Sequence, residues 1–248
     1  MFKFFKELNR KRLNARGTIP FTGSTSEAIA RQIQISEQHL KVFPKFKNCC
    51  QGKSLALVAT GASLKKFNPA AFPNLEYVGV NTAIDSLNVY YKYYFVQDYG
   101  VLRYLGTFEK FKKNGTNFFG RNVSYDKRPR AIIPEFEYEN CNAKLYYTSN
   151  PFNYFQYDIS TNALPDFRSV VFSAVSFMLW TRPKEIYLIG CDCSSSYADG
   201  RDKKYGFTDL VEVWQQLKQF AEVYYPDSKI ISINPIGLKG IFIDQFTD

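Results

Sequence analysis

The chain has 248 residues, of which 45% are hydrophobic, 17% aromatic and 22% charged. This apolar content is too high for a disordered chain, and no run approaches the ~18 apolar residues that span a bilayer. The 32 Lys and Arg residues against 23 Asp and Glu give a net charge of +9, which favours anionic partners. No nucleic-acid-binding motif accompanies this charge, so we do not expect nucleic acid as a partner.

The basic excess is concentrated at the start of the chain. Residues 1–16 hold six basic groups and one acid, with apolar residues on one helical face, which is typical of an interfacial helix on anionic lipid. The alternative is a terminal helix that is solvated or packs on a partner. A breaker-rich linker over 17–25 and a helix over 26–43 follow. We therefore predict a basic N-terminal helical extension over 1–50.

The cysteines and the first apolar cluster indicate the compartment. Lysines break the cluster, so we expect no secretory leader. The five cysteines are an odd number, which favours free thiols in a reducing compartment. We expect a cytoplasmic protein that contacts the inner face of the cell membrane through residues 1–16. Cys191-x-Cys193 is too tight for the usual zinc spacing, so we predict no metal site and no cofactor.

Short apolar strands alternate with helices over residues 51–248. The predicted strands are 54–60, 75–81, 91–98, 184–192 and a last one at 229–235, and the predicted helices are 169–181 and 209–223. This alternation predicts an α/β, Rossmann-like, mainly parallel sheet with helices on both faces. Residues 100–165 are rich in Tyr, Phe and Asn, and are predicted to be short elements and loops over one edge of the sheet.

Polar residues follow each predicted strand, and ligands of open parallel sheets bind outside the carboxyl ends of the strands. Gly61 permits a tight turn, and Ser63, with the amides of a helix opening at 61–67, can hold an anion. The glycines of a dinucleotide fingerprint are absent, and residues 51–54 do not complete a P-loop. The strand-end residues are Gly61-Ala62-Ser63, Asn81, Gln97-Asp98, Asp192 and Asn234.

His39 is the only histidine, and it precedes the predicted core, so we expect a surface histidine and no Ser-His-Asp triad. Acid–base chemistry then requires a carboxylate, a tyrosine or a lysine, and Asp98 and Asp192 are the best-placed carboxylates. Asp192 is equally typical of an aspartate that caps the following loop. Residues 193–207 are polar and contain two glycines, which indicates a flexible lid, or else a plain solvated loop.

Four separated blocks of the sequence carry a resemblance. Residues 52–81 (GKSLALVATGASLKKFNPAAFPNLEYVGVN) resemble the opening of the bacterial sialyltransferases of glycosyltransferase family 42 and of the related MptE-like proteins. Residues 169–192, ending in KEIYLIGCD, are similar to the second hallmark of that group. The stretch SSSYAD at 194–199 resembles the sialyltransferase lid, and 232–242 resembles the terminal segment of the wider group.

The resemblance implies a glycosyltransferase that needs no metal. It would move sialic acid or a related acidic sugar from a CMP-linked donor to a lipid-linked or surface-glycan acceptor, as in lipopolysaccharide or capsule synthesis. It implies that Tyr197 supports the leaving phosphate. It also assigns nucleotide-sugar binding to six residues, namely Gly61, Ala62, Ser63, Asn81, Ser173 and Asp192.

The chain departs from the family pattern at functional positions. Thr60 and Ala62 stand where Asn and Pro are usual, and the base histidine of the family has no counterpart. We expect Asp98 to deprotonate the acceptor instead. Two alternatives follow from the same blocks: a non-catalytic nucleotide- or glycan-binding module, and a magnesium-dependent pterin diphosphokinase of the MptE-like group.

Overall fold

A computed structural model describes residues 19–20, 25–97, 108–121, 131–132, 141–149, 154–200 and 209–247. The eleven strands in this part of the chain are β1 (Ile19–Pro20), β2 (Ser54–Val58), β3 (Leu75–Val80), β4 (Tyr91–Val96), β5 (Thr116–Arg121), β6 (Ala131–Ile132), β7 (Ala143–Ser149), β8 (Leu164–Pro165), β9 (Glu185–Ile189), β10 (Lys229–Ile233) and β11 (Ile243–Gln245). The α-helices are α1 (Thr25–Val42), α2 (Ala83–Ser86), α3 (Phe108–Lys112), α4 (Val170–Trp180) and α5 (Leu210–Tyr224).

Nine strands form one parallel sheet in the order β11-β10-β9-β2-β3-β4-β5-β7-β8, and β1 pairs with β6 in a separate antiparallel ribbon. The chain builds outward from β2 through β3 to β8, and then returns to the other side of β2 with β9. The strand order β4-β3-β2-β9-β10-β11 is that of a Rossmann fold, extended by β5, β7 and β8. The α/β, Rossmann-like prediction is confirmed.

The predicted strands β2, β3, β4, β9 and β10 and the helices α1, α4 and α5 are confirmed, with ends within a few residues. Residues 100–165 were predicted to be short elements over one edge, and this is wrong for β5 and β7, which extend the sheet. β5 is difficult to recognise in the sequence because Asn117, a polar residue, lies within this buried strand. Its side-chain amide donates to the carbonyls of Phe111 and Cys141, so the amide is satisfied inside the core.

Two further expectations are corrected. The strand at 229–235 is not the last, because β11 follows it and pairs with β10 in parallel. The helix expected to open at 61–67 is a single 3-10 helix at Ala62–Lys66, followed by another at Pro69–Ala71. Hydrogen bonds from Ser63 to Asp192, which follows β9, hold the first of these segments, so it does not need the length of a stable α-helix.

One face of the sheet is covered by α1, α4, α5 and a 3-10 helix at Phe43–Phe46. We call it the helical face. Ten of the eleven residues of α4 are buried, which explains its continuous apolar sequence. The side chain of Phe177 in α4 lies against Tyr93 and Phe118 of the sheet, with ring centroids 4.9 and 5.0 Å apart.

The opposite face is covered by the two 3-10 helices after β2 and by α2 and α3, which have four and five residues. We call it the short-segment face. Tyrosine hydroxyls of β4 bond α2 to the sheet. Tyr94 Oη donates to the carbonyl of Asn81 at 2.7 Å and accepts from the amide of Ile84 at 2.8 Å, while Tyr91 Oη contacts the carbonyls of Ala83 and Leu87 at 3.1 and 3.0 Å.

Residues 1–16, for which the sequence predicts an interfacial helix, lie outside the described residues. The domain boundary at residue 50 stays a prediction, and Phe43, which precedes it, is fully buried in the core of the helical face. Among the helices that the structure describes, none combines the length and the apolar character needed to cross a membrane.

Candidate functional site

The polar strand ends lie along one edge of the sheet, as predicted. The strands β10, β9, β2, β3 and β4 are consecutive neighbours and parallel, so their carboxyl ends meet there. In this order the strands lead into Asn234, Asp192, the loop at 60–63, Asn81 and Gln97. The topology reverses between β2 and β9, and this is the position at which open parallel sheets bind ligands.

The backbone ladder between β2 and β9 continues past the ends of both strands. The amide of Ala59 donates to the carbonyl of Ile189, and the amide of Gly61 donates to the carbonyl of Gly190, each at 2.8 Å. Gly61 has a φ of −71°, which any residue can adopt, so the tight turn predicted from the sequence does not require a glycine at this position. A Cβ at Gly61 would lie 2.5 Å from both Asp192 Oδ2 and the Gly190 carbonyl, so close packing requires the glycine.

Asp192 and Ser63 form a buried pair at the centre of this edge. The amide of Ser63 donates to Asp192 Oδ2 at 2.7 Å, and the hydroxyl of Ser63 donates to Asp192 Oδ1. The two residues are only 3% and 5% exposed. Asp192 therefore caps the 3-10 helix after β2 rather than its own following loop. Both Ser63 donors, which the sequence assigns to an anionic ligand, are used by this carboxylate.

Residues 193–200, the described half of the predicted lid, fold back over the end of β2. Tyr197 forms an antiparallel bridge with Gly61, and the amide of Ala198 donates to the carbonyl of Thr60 at 2.8 Å. The amide of Gly237, after β10, donates to the Asp192 carbonyl at 2.8 Å. Three segments thus meet at Asp192. Residues 201–207, the other half of the predicted lid, lie outside the described residues.

Asn81 joins the ends of β3 and β4. It adopts a left-handed backbone with φ 44°, and its Oδ1 accepts a hydrogen bond from the amide of Gln97 at 3.2 Å. Gln97 Oε1 is buried and has no hydrogen-bond partner in the described part of the chain. Gln97 is not among the nucleotide-sugar-binding residues predicted from the sequence. Its position directly before Asp98, at the end of a predicted strand, is the signal that could have identified it. Asp98, the predicted general base, lies outside the described residues.

Two other polar residues serve the fold. Asn234 donates from Nδ2 to Thr247 Oγ1 at 2.7 Å and accepts from the Thr247 amide at 2.9 Å, so it fastens the segment after β11. Ser173, assigned to nucleotide binding by resemblance, is fully buried in the first turn of α4. Its hydroxyl donates to the Pro165 carbonyl at 2.7 Å and holds α4 against β8.

His39 is buried and not on the surface, which corrects the sequence expectation. Its Nδ1 accepts from the Tyr147 amide at 3.2 Å, so Nε2 carries the proton and donates to the Ile159 carbonyl at 2.6 Å. The ring stacks on Phe43, with centroids 4.1 Å apart. Burial lowers the pKa of His39 to about 4, and both ring nitrogens are used inside the fold.

The edge also receives the amino ends of α4 and α5. The carbonyls of Trp180 and Thr181, at the end of α4, accept hydrogen bonds from residues preceding β2, so α4 begins at the carboxyl edge. Arg168 and Asp209, which precede α4 and α5, form an ion pair between the two helix starts. Helix amino ends carry partial positive charge, which favours an anion at this edge.

Phe167 and Arg168 both have positive φ, at 39° and 60°, immediately before α4. No glycine marks this left-handed pair, so the sequence offered no signal for it.

Comparisons of this chain with family models, with curated proteins and with solved structures gave no match. The site therefore stands on its own geometry: a Rossmann switch point at which Asp192 organises the loop after β2, and over which Tyr197 is folded.

Proposed function

We propose that this chain is a metal-independent glycosyltransferase that moves a sugar from a nucleotide donor to a surface-glycan acceptor. The observation that carries the proposal is the reversal of strand order between β2 and β9, with the loop at 60–63, Asn81 and Tyr197 around it. Nucleotides bind outside the carboxyl ends of the strands at such a reversal. The resemblance of the same blocks to family 42 sialyltransferases supports a CMP-linked donor.

The buried Ser63–Asp192 pair gives these two residues a positioning role in the proposal. Because the Asp192 carboxylate accepts both Ser63 donors, it fixes the loop at 60–63 against the residues that follow β9. The nucleotide then contacts the outer side of this loop and Asn81. Fixing the loop before binding lowers the conformational cost of association.

Tyr197 supplies the catalytic step of the proposal. As the bond between the sugar and the phosphate breaks, negative charge develops on the leaving phosphate, and the Tyr197 hydroxyl donates a hydrogen bond to it. The acceptor hydroxyl loses its proton to a base. His39 does not serve, because both of its ring nitrogens hydrogen-bond inside the fold. We assign this role to Asp98, and assign contact with anionic membrane to residues 1–16.

The first test is a thermal-shift panel of CMP, CDP, UDP, GDP and ATP, each with and without EDTA. A ligand at 100 times its dissociation constant adds about 2.7 kcal/mol to the free energy of unfolding, enough to move the melting temperature. We expect a CMP shift that survives EDTA. A shift with ATP and magnesium alone would favour the pterin diphosphokinase class, and no shift with any nucleotide would overturn the proposal.

The catalytic assignment is tested with Tyr197→Phe and CMP-sugar donors. Loss of one donor to the developing charge is expected to lower kcat on the order of 10²-fold, while CMP binding changes little. Tyr187→Phe is the matched control because Tyr187 lies within β9, where its hydroxyl contacts Glu185 at 3.4 Å. Equal kcat values for the two variants would remove Tyr197 from the mechanism.

A second candidate is a nucleotide- or glycan-binding module without catalysis. Mutual pairing of the polar groups along the edge favours it, since Ser63 bonds with Asp192, Asn81 with Gln97, and Asn234 with Thr247. Side chains that hydrogen-bond one another have fewer donors and acceptors left to contact a reacting substrate. CMP binding without transfer or donor hydrolysis would support this module over the transferase.

A further inference from the structure

Two adjacent cysteines lie at the opposite edge of the sheet, in the turn between the 3-10 helix at Phe43–Phe46 and β2. The thiol sulfurs of Cys49 and Cys50 are 3.7 Å apart. Cys49 is exposed and Cys50 is buried. The turn is tied to the end of α4, since the amide of Cys50 donates to the Thr181 carbonyl at 3.0 Å. The backbone that carries both thiols is therefore held in place.

One tyrosine and one lysine lie beside the pair, and the lysine also forms an ion pair with Glu76. Tyr93 Oη lies 3.6 Å from Cys49 Sγ and 4.0 Å from Cys50 Sγ, and Lys92 Nζ is 5.4 Å from the centre of the Tyr93 ring. The hydrogen bond from Cys49, together with Lys92, lowers the pKa of the Cys50 thiol to about 6, and the same hydrogen bond raises the pKa of Cys49.

The geometry distinguishes two uses of such a pair. Adjacent Cα atoms are about 3.8 Å apart, which is shorter than the roughly 4.4–6.8 Å that disulfides usually span, so a bond between the two sulfurs would be strained. An ion placed about 2.3 Å from each sulfur, the usual zinc–thiolate distance, would instead subtend an angle of about 107° at the observed separation, close to tetrahedral. The spacing suits a shared ion better than a disulfide.

We propose that Cys49 and Cys50 form a two-thiolate binding site for a thiophilic cation of tetrahedral preference, of the Zn²⁺ and Cd²⁺ class. Thiolates are the protein ligands that such ions prefer. In the part of the chain that the structure describes, no group of three or more His, Cys, Asp or Glu side chains could hold a metal ion. The exposed side of Cys49 therefore leaves the remaining two positions to water or to a small-molecule ligand.

Binding follows a simple proton balance. Both sulfurs bind the ion as thiolates, so a sulfur that is protonated beforehand releases its proton on binding. Protons therefore compete with the ion for the two sulfurs, and Cd²⁺ affinity should fall as the pH is lowered.

The test is a titration of the reduced protein with Cd²⁺, followed by thiolate-to-metal ultraviolet absorption and by calorimetry. The background is the double variant Cys191→Ser/Cys193→Ser, which removes the other close pair of cysteines in the sequence. We expect one Cd²⁺ per chain in this background, displaceable by Zn²⁺. Adding Cys49→Ser should lower the affinity at least tenfold, as Cys50→Ser should, and Cys49 is exposed enough for its replacement to leave the fold intact.

Cys141→Ser in the same background is the matched control, because Cys141 is a single buried thiol outside the pair. It should leave Cd²⁺ affinity within about twofold, with circular dichroism confirming the fold. The proposal is overturned if the double-variant background binds no Cd²⁺, or if it binds Cd²⁺ equally well with and without Cys49→Ser. Neither result bears on nucleotide binding, since the two sites lie at opposite edges of the sheet.

Discussion

On the helical face of the sheet, α1, α4 and α5 have 18, 11 and 15 residues, whereas helices on the short-segment face have three to five. Long helices bury enough apolar area for packing to be their main hold on the sheet, with single hydrogen bonds such as that from Ser173 to Pro165 added to it. Short segments bury less, and one of them, α2, is bonded to the sheet by tyrosine hydroxyls that contact its backbone. The difference teaches that a four-residue helix can be held by directed hydrogen bonds to the sheet where a long helix relies mainly on buried apolar area.

The largest test of this comparison is Phe177→Ala on the helical face. Phe177 lies at the centre of an aromatic cluster, so we expect a loss of about 4 kcal/mol in the free energy of unfolding, measured by urea denaturation. The matched variant is Phe111→Ala on the short-segment face, where the small helix α3 can collapse into the space and the loss should be about 1 kcal/mol smaller. Equal losses would show that the two faces depend on packing to the same degree.

The second test concerns His39, which joins α1 to the helical face in its neutral form. The folded pKa of about 4 lies below the usual 6.5, so the unfolded chain binds a proton first as the pH falls. Stability is complete above pH 6.5 and is lost towards pH 4. Between pH 7.5 and pH 5 the loss from this group should be about 2 kcal/mol.

Urea denaturation at the two pH values measures this loss, with His39→Gln as the comparison. The variant starts less stable at pH 7.5 but lacks the contribution from histidine titration, and no second histidine confuses the result. If the free energy of unfolding of His39→Gln changes with pH as much as that of the parent protein, then titration of His39 does not contribute to the pH dependence of stability.

The smallest test is Tyr94→Phe on the short-segment face. The substitution keeps the ring and removes the hydroxyl that hydrogen-bonds the Asn81 carbonyl and the Ile84 amide. We expect a loss of about 1.5 kcal/mol. Hydrogen exchange should show the amide of Ile84 opening more readily than in the parent protein. If exchange at Ile84 stays the same, the hydroxyl does not fasten α2.

The sequence predicts the central fold well because its strands β2, β9 and β10 are short apolar runs and its helices keep a clear apolar pattern. It fails at β5, where buried Asn117 breaks the run, and its partners Phe111 and Cys141 are invisible in a one-dimensional pattern. At the site, the meeting of strand ends is predictable from parallel topology. The pairing of Ser63 with Asp192 is not, because each residue alone is typical of a ligand contact.

The position of β2 has a consequence for the making of the protein. Val58 of β2 pairs on one side with Gly79, close behind it in the chain, but on the other side with Ile189. A ribosome adding about 5–20 residues per second needs roughly 6 to 26 s to synthesise the ~130 residues between these partners. For that interval the backbone groups along one edge of β2, an apolar strand, are unpaired. We therefore expect a chaperone to shield β2 until β9 emerges.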